Sequence, residues 1–87
     1  MVGTARQLAA GASSANTALT AGISRVSMRA VGADIRFSIG TSAQTASASS
    51  HFIADGERLE LRIPEGANIA VIRNASTSGV LELSELE

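Results

Sequence analysis

The stretch that decides the fold is "HFIADGERLELRIPEGANIAVIR", residues 51–73. Apolar and charged residues alternate along it from Arg58 to Ile63, and a period of two is typical of a strand with one face on a core. The segment "IAVI" at 69–72 is apolar on both faces, which predicts a central strand covered on both sides. The stretch therefore indicates a β-sheet protein.

Turn residues separate these segments. Asp55-Gly56 lies between "HFIA" and "ERLELRI", and this dipeptide between two strand patterns is a strong hairpin signal. In "IPEGA", Pro64 and Gly66 fit the second and fourth positions of a type I turn. We therefore expect a chain reversal at each place, the first of them a β-hairpin.

The same alternation recurs in other parts of the chain. The residues predicted to face inward are Val26, Met28 and Ala30, then Ile35, Phe37 and Ile39, then Leu81 and Leu83. Weaker patterns predict strands near Ala5–Ala9 and Ala15–Thr20. The predicted fold class is all-β, a small antiparallel β-sandwich or barrel of about seven to eight short strands, Greek-key or jelly-roll-like.

One turn pattern occurs twice. "GADIRF" at 32–37 is similar to "GANIAV" at 66–71, so the two glycines are 34 residues apart (66 − 32). Duplication and convergence on common turn chemistry both explain the similarity. In either case we expect two similar hairpins stacked face to face, as in a small antiparallel sandwich.

The composition predicts a single domain with a thin core. The chain has 87 residues, no Cys, Trp or Tyr, and sixteen Ala within its apolar fraction of 45%. A small chain with few large apolar residues and no disulfide usually gains stability by oligomerisation. We expect residues 1–20 to form an N-terminal arm with the first strands, which contacts a partner, and residues 21–87 to form the β-sandwich.

The charge distribution points to protein contacts. Residues 1–50 carry four Arg and one Asp (net +3), residues 51–87 carry three Arg and seven acidic residues (net −4), and there is no Lys. The two halves are expected to attract each other within the fold or between protomers. Arg25, Arg29 and Arg36 are predicted to form a basic patch for an acidic protein. Nucleic acid is not expected as a partner, because cations and aromatic residues are few.

No residue pattern indicates catalysis. His51 is the only imidazole, and no nucleophile elbow or phosphate-binding loop accompanies it. The sequence therefore predicts no enzyme and no catalytic, cofactor-binding or metal-binding residues. Asp55 and Glu57 are expected to serve turn chemistry. Three further acidic residues are predicted on an exposed strand edge or tail: Glu82, Glu85 and Glu87.

Two segments have low complexity, residues 9–18 and 41–50. They are either flexible loops or surfaces of small side chains that a neighbouring subunit approaches closely. The opening segment has no apolar core of the kind that signal peptides carry. The longest apolar run, residues 69–72, is too short to span a bilayer. We therefore expect a protein that folds in the cytoplasm, with no membrane partner.

Residues 32–86 resemble a family of virion proteins. The segments that carry the resemblance are "DIRFSIG" and "TASASSHFIADGERLELRIPEGANIAVIRNASTSGVLELSEL". In style and order they are similar to the small capsid decoration (cement) proteins of tailed bacteriophages. The resemblance implies a β-sandwich or barrel, often a homotrimer, that is made in the host cytoplasm and binds the major capsid protein on the outer surface of the head. It assigns no functional residues.

Two other functions stay open at this point. One is a head-fibre, tail or baseplate-associated module with an attachment or glycan-binding role, although the lack of Trp and Tyr disfavours sugar stacking. The other is a compact enzyme or ligand-binding barrel, which requires a pocket with converging polar groups around His51.

Overall fold

The computed structural model describes residues 2–86, which form eight β-strands and no helix. The strands are β1 (Val2–Ala10), β2 (Ala15–Ala18), β3 (Arg25–Val31), β4 (Ile35–Gly40), β5 (His51–Ile53), β6 (Arg58–Arg62), β7 (Asn68–Arg73) and β8 (Gly79–Leu86). Within this range there is accordingly no helix long and apolar enough to cross a membrane.

The strands form two antiparallel sheets of four. The first sheet has the order β1-β8-β3-β6 and the second has the order β2-β7-β4-β5. Of the strands that follow each other in the chain, only β4 and β5 are neighbours in a sheet, so the other connections cross between sheets. This arrangement is a jelly roll. It confirms the predicted all-β antiparallel sandwich and its Greek-key or jelly-roll character.

The prediction of a hairpin at Asp55-Gly56 is wrong. β5 pairs with β4 in the second sheet, whereas β6 pairs with β3 in the first. The turn is closed by a 2.8 Å hydrogen bond from Glu57 N to Ala54 O, and Gly56 has a φ of 81°. A two-residue type I′ hairpin needs positive φ at both central residues, but among the described residues only glycines have it. The turn is therefore of the type II kind and sends the chain to the other sheet.

The two similar segments around "GADIRF" and "GANIAV" are not paired hairpins either. The first leads from β3 to β4 and the second from β6 to β7, and both change sheets. The central turn residues are 65 and 66, so Gly66, with a φ of 72°, occupies the third position of the turn rather than the predicted fourth position. The reversals were predictable from local turn chemistry. The sheet that each strand joins depends on contacts across the core.

The core lies between the two sheets and includes most of the residues predicted to face inward, although Ile39 is only half-buried. The alternation confirms these predictions in β3, where Val26, Met28 and Ala30 are buried. The other predicted inward residues that are buried are Ile35, Phe37, Leu81 and Leu83. β7 is an interior strand with Ile69, Ala70 and Val71 buried, as the apolar segment "IAVI" predicts.

The N-terminal segment belongs to the sandwich. β1 pairs with β8 and β2 pairs with β7, which confirms the two strands expected from the weaker patterns. β1 and β2 are the edge strands on one side of the sandwich. Contact of this segment with a partner stays a prediction.

The low-complexity segment 41–50 packs on its own chain. It crosses the outer face of the second sheet, where Gln44 N donates to Asn16 Oδ1 at 2.8 Å and Ala46 N donates to Ser14 Oγ at 2.8 Å. Ala46 and the β7 residue Ala70 are both buried. Small side chains therefore allow this loop to lie close to its own sheet and to cover it.

Candidate functional site

An open cleft separates the two sheets at the side where β5 and β6 are the edge strands. Its volume is about 400 Å³, within the range of small-molecule and side-chain sites of roughly 300–1,000 Å³. The lining is mainly apolar: Phe37, Ile39, His51, Phe52, Leu59, Leu61, Arg62, Ile63 and Pro64. We call this feature the open cleft.

The cleft is open because β5 is short. β4 continues to Gly40, but its pairing with β5 ends at Phe37 opposite His51. The ten residues between these strands leave the sheet edge to cover its outer face, so no β5 residue lies beside Ile39. As a result Ile39, Leu59 and Leu61 are only half-buried, although they pack against the core.

Aromatic side chains of β4 and β5 line one side of the cleft. The rings of His51 and Phe37 have centroids 5.4 Å apart. On the outer side of the same strands, the Arg36 guanidinium lies 4.7 Å from the Phe52 ring centroid, a cation–π arrangement. Arg36 is held there by hydrogen bonds to Asn74 Oδ1 at 2.9 Å and Ser50 O at 3.1 Å. Phe52 is 41% exposed.

Arginines cluster on the outer face of the first sheet, which we call the arginine face. Arg25 lies opposite Arg62, and Arg29 lies opposite Arg58, in the β3–β6 ladder. Like charges directly opposite each other destabilise a sheet. Among the described residues only Arg25 of these four forms an ion pair, at 3.4 Å to Glu60. Glu82 of β8 lies opposite Arg29 on the same face, and Glu60 lies between Arg58 and Arg62 in β6. Arg58 and Arg62, at the free edge of the sheet, form no ion pair with the described residues.

The predicted basic patch is different from the observed one. Arg25 and Arg29 lie on the arginine face, but Arg36 lies on the outer face of the second sheet. Arg58 and Arg62, rather than Arg36, complete the cluster on the arginine face, and the sequence analysis did not place them in a basic patch. The signal was present in the alternation of "RLELR", but the pairing of β6 with β3 was needed to bring the four arginines together.

Asp55 and Asp34 line a second, smaller cleft of about 270 Å³. Asp55 Oδ1 accepts from Gly32 N at 2.9 Å, and Asp34 Oδ1 accepts from Asp55 N at 2.8 Å. Glu57 Oε1 accepts from Ala54 N at 2.9 Å. The expected turn chemistry of Asp55 and Glu57 is confirmed, since both carboxylates hold backbone amides of neighbouring turns.

Glu85 corrects the prediction of an exposed acidic strand edge. β8 is an interior strand, and Glu85 is 1% exposed. Its carboxylate accepts from Arg6 Nε at 3.0 Å, from Thr20 N at 2.9 Å and from Thr20 Oγ1 at 2.7 Å. Burial acts to raise the pKa of Glu85, but the hydrogen bonds from Thr20 and the bond and charge of Arg6 outweigh it and lower the pKa. Glu82 is exposed as predicted, and Glu87 lies outside the described residues.

Both ion pairs of the described residues join the two halves of the chain. Arg6 and Arg25 belong to the positive half, and their partners Glu85 and Glu60 belong to the negative half. The expected attraction between the halves therefore operates within the fold. His51 is exposed at the start of β5, and residues 2–86 contain no group of three or more potential metal ligands from His, Asp and Glu.

Comparison with known proteins found no matching protein family, no matching curated protein and no matching solved structure. The open cleft and the arginine face are thus the features from which a function is inferred.

Proposed function

We propose that this chain is a structural virion protein, a capsid decoration protein that binds the outer surface of a tailed phage head and stabilises the capsid lattice. The observation that carries the proposal is the open cleft, an apolar surface left uncovered beside a free edge strand. Exposed apolar surface with a polar rim is typical of protein–protein contact.

The chemistry of the cleft favours a protein partner. Ile39, Leu59 and Leu61 present aliphatic surface, and their burial by a partner is worth about 25 cal/mol per Å² of apolar area. Arg62 lines the cleft, and an arginine suits an acidic neighbour and fixed geometry. A decoration protein completes its stabilisation on the lattice in this way, because a partner that binds only the folded state adds to its stability.

The fold is compatible with this role. Jelly rolls occur in viral capsid proteins, and also in lectins and cupins, so the fold supports the proposal without deciding it. The glycan-binding alternative needs an exposed aromatic platform. Among the described residues Phe52 is the exposed aromatic ring, and Arg36 occupies one of its faces. We therefore favour a protein partner over a sugar.

The proposal includes self-association into a homotrimer. β1 is the longest strand and lies at a free edge. The exposed residues that its outer face presents are uncharged, namely Ala5, Gln7 and Ala9. An uncharged edge lacks the features that usually prevent pairing between chains. Light scattering at several protein concentrations measures the oligomer.

The copy number of the chain in purified virions tests the proposal. Quantitative mass spectrometry compares the chain with the major capsid protein of the same particles. A constant ratio set by the lattice, on the order of one chain per capsid subunit for full occupancy, supports decoration. A few copies per particle assign the chain to the tail, a fibre or a single vertex, and absence from particles contradicts the virion role.

A further inference from the structure

We infer that β6 accepts an extended acidic segment of a partner protein as an added strand. The segment extends the first sheet, places apolar side chains in the open cleft and places acidic side chains beside the arginine face. This inference deepens the proposed function and rests on its premise that the partner is a protein. It does not require that the partner be a capsid protein.

The backbone of β6 has a free edge. Ile63 N donates to Ser24 O at 2.7 Å, and Ala30 N donates to Glu57 O at 3.3 Å. Antiparallel ladders alternate between hydrogen-bonded and non-hydrogen-bonded pairs, so residues 59 and 61 also direct their amides to β3. The backbone groups of Arg58, Glu60 and Arg62 therefore point away from the sheet and are available to a new strand.

The side chains of an added strand match the two faces of β6. Residues opposite each other in a ladder point to the same face. Partner residues opposite Leu59 and Leu61 therefore face inward, towards the open cleft and Ile39. Residues opposite Arg58 and Arg62 face outward, next to the arginine face. The cleft requires apolar residues at the inward positions.

The charges of β6 determine which residues suit the outward positions of the added strand. Arg58 and Arg62 each lie opposite another arginine of β3, and neither forms an ion pair within residues 2–86. An acidic residue added on the free side of each arginine offsets this repulsion, since opposite charges across a ladder stabilise it. The segment therefore has the pattern acidic, apolar, any residue, apolar, acidic.

A second copy of β6 does not meet this pattern. In an antiparallel pair of β6 strands centred on Glu60, that residue lies opposite its own copy and Arg58 lies opposite Arg62. Every outward pair then has like charges, which disfavours this register. Pairs centred on Leu59 or Leu61 place Glu60 opposite one arginine but leave the other arginine without an acidic residue opposite it. No register of a second β6 therefore meets the whole pattern. β8 carries acidic residues, but it is an interior strand of the same sheet. The occupant is therefore a segment of a different protein.

A synthetic peptide tests the inference directly. The probe is the capped heptapeptide Thr-Glu-Leu-Thr-Leu-Glu-Thr, and the control has Lys in place of both Glu. Amide hydrogen exchange of the full chain is followed by NMR with and without peptide. We expect new protection at Arg58, Glu60 and Arg62 and little change at Leu59 and Leu61, which already bond to β3. The affinity should fall with added salt, and the Lys peptide should bind at least about tenfold more weakly.

Two variants separate the backbone contact from the charge. Glu60→Pro removes an amide that points away from β3, so the native ladder keeps its bonds, whereas Glu60→Thr removes the same charge and keeps the amide. We expect Glu60→Pro to weaken peptide binding at least about tenfold and Glu60→Thr to bind like the wild type. If Glu60→Pro unfolds, the double variant Arg58→Glu/Arg62→Glu replaces it and should prefer the Lys peptide.

Several outcomes overturn the inference. They are the absence of saturable binding at millimolar peptide, equal binding of the acidic and Lys peptides, and binding without protection at the three edge amides. The proposed virion role is tested separately. If the wild-type chain decorates phage heads but the peptide does not protect the three edge amides, the edge inference is wrong and the decoration role stands. If virions lack the chain but the peptide protects the edge, the inference stands without that role.

Discussion

Glu85 and Arg6 are 79 residues apart in the sequence, and their side chains meet at 3.0 Å. The pair links the interior strand β8 to the edge strand β1, and the bonds from Thr20 attach the connection between β2 and β3 to the same carboxylate. One buried charge therefore holds three separate parts of the jelly roll. Replacing Glu85 should lower the free energy of unfolding substantially, because its buried hydrogen-bond donors then lack a strong acceptor.

Glu85→Gln tests this role with little change in shape. The amide keeps the volume but loses the charge that strengthens the bonds from Arg6 and Thr20. We expect the free energy of unfolding in urea to fall by about 1–3 kcal/mol. Arg25→Ala is the matched control, because its pair with Glu60 is exposed, and it should cost at most about 0.5 kcal/mol. Equal losses in the two variants would contradict the role of Glu85.

The pH dependence of stability should follow from the lowered pKa of Glu85. A carboxyl with a lower pKa in the folded state contributes stability above its unfolded pKa, which is about 4.3 for Glu. The contribution is lost as the pH falls through the folded pKa. We expect the stability difference between the wild type and Glu85→Gln to be constant near neutral pH and to shrink below about pH 4. Urea unfolding of both proteins from neutral pH to about pH 3 measures it, and a constant difference would contradict the shift.

The open cleft should tolerate truncation better than the closed part of the core. Leu83 of β8 is 1% exposed, so Leu83→Ala leaves a cavity and should cost about 2–5 kcal/mol. Leu61 of β6 is half-buried and borders the cleft, so Leu61→Ala should cost only about 1–2 kcal/mol. The same substitution in two strands of one sheet makes the comparison direct. Similar losses would indicate that the cleft is closed in solution.

The strand positions could be predicted because alternation is a local property of the chain. Arg58–Ile63 and Val26–Ala30 have the predicted faces, since a side chain on one face of a strand must meet either core or water. The prediction of a hairpin at Asp55-Gly56 was wrong because strand pairing is not a local property. The turn has the expected reversal, but packing across the core sends its two strands to different sheets.

The candidate site depended on distant contacts that no local pattern contains. Glu85 has the sequence context of an exposed acidic tail, and its burial follows only from the approach of Arg6 and Thr20. The open cleft exists because β5 begins only at His51, opposite Phe37. β5 begins late because the preceding segment 41–50 packs on the outer face of the second sheet. The small side chains of that segment indicated close contact with another surface, but they did not indicate that this surface was the second sheet of the same chain.

Segment 41–50 provides the last prediction, because two side-chain acceptors hold it to the sheet. Ser14 Oγ accepts from the amide of Ala46 at 2.8 Å, and Ala46 is buried. Ser14→Ala leaves this amide without its acceptor, which should cost about 1–2 kcal/mol and increase hydrogen exchange along the segment. Exchange measured by NMR on the wild type and the variant checks the result at each amide.

Ser42→Ala is the control for this experiment, because Ser42 is exposed and its hydroxyl makes no hydrogen bond within residues 2–86. It should leave both stability and exchange unchanged. Release of the segment in Ser14→Ala should also uncover Ala70 and remove the restraint that keeps β5 short. The peptide that binds at β6 should then show altered affinity for Ser14→Ala but not for Ser42→Ala. Unchanged exchange at Ala46 in Ser14→Ala would show that the loop packs without this bond.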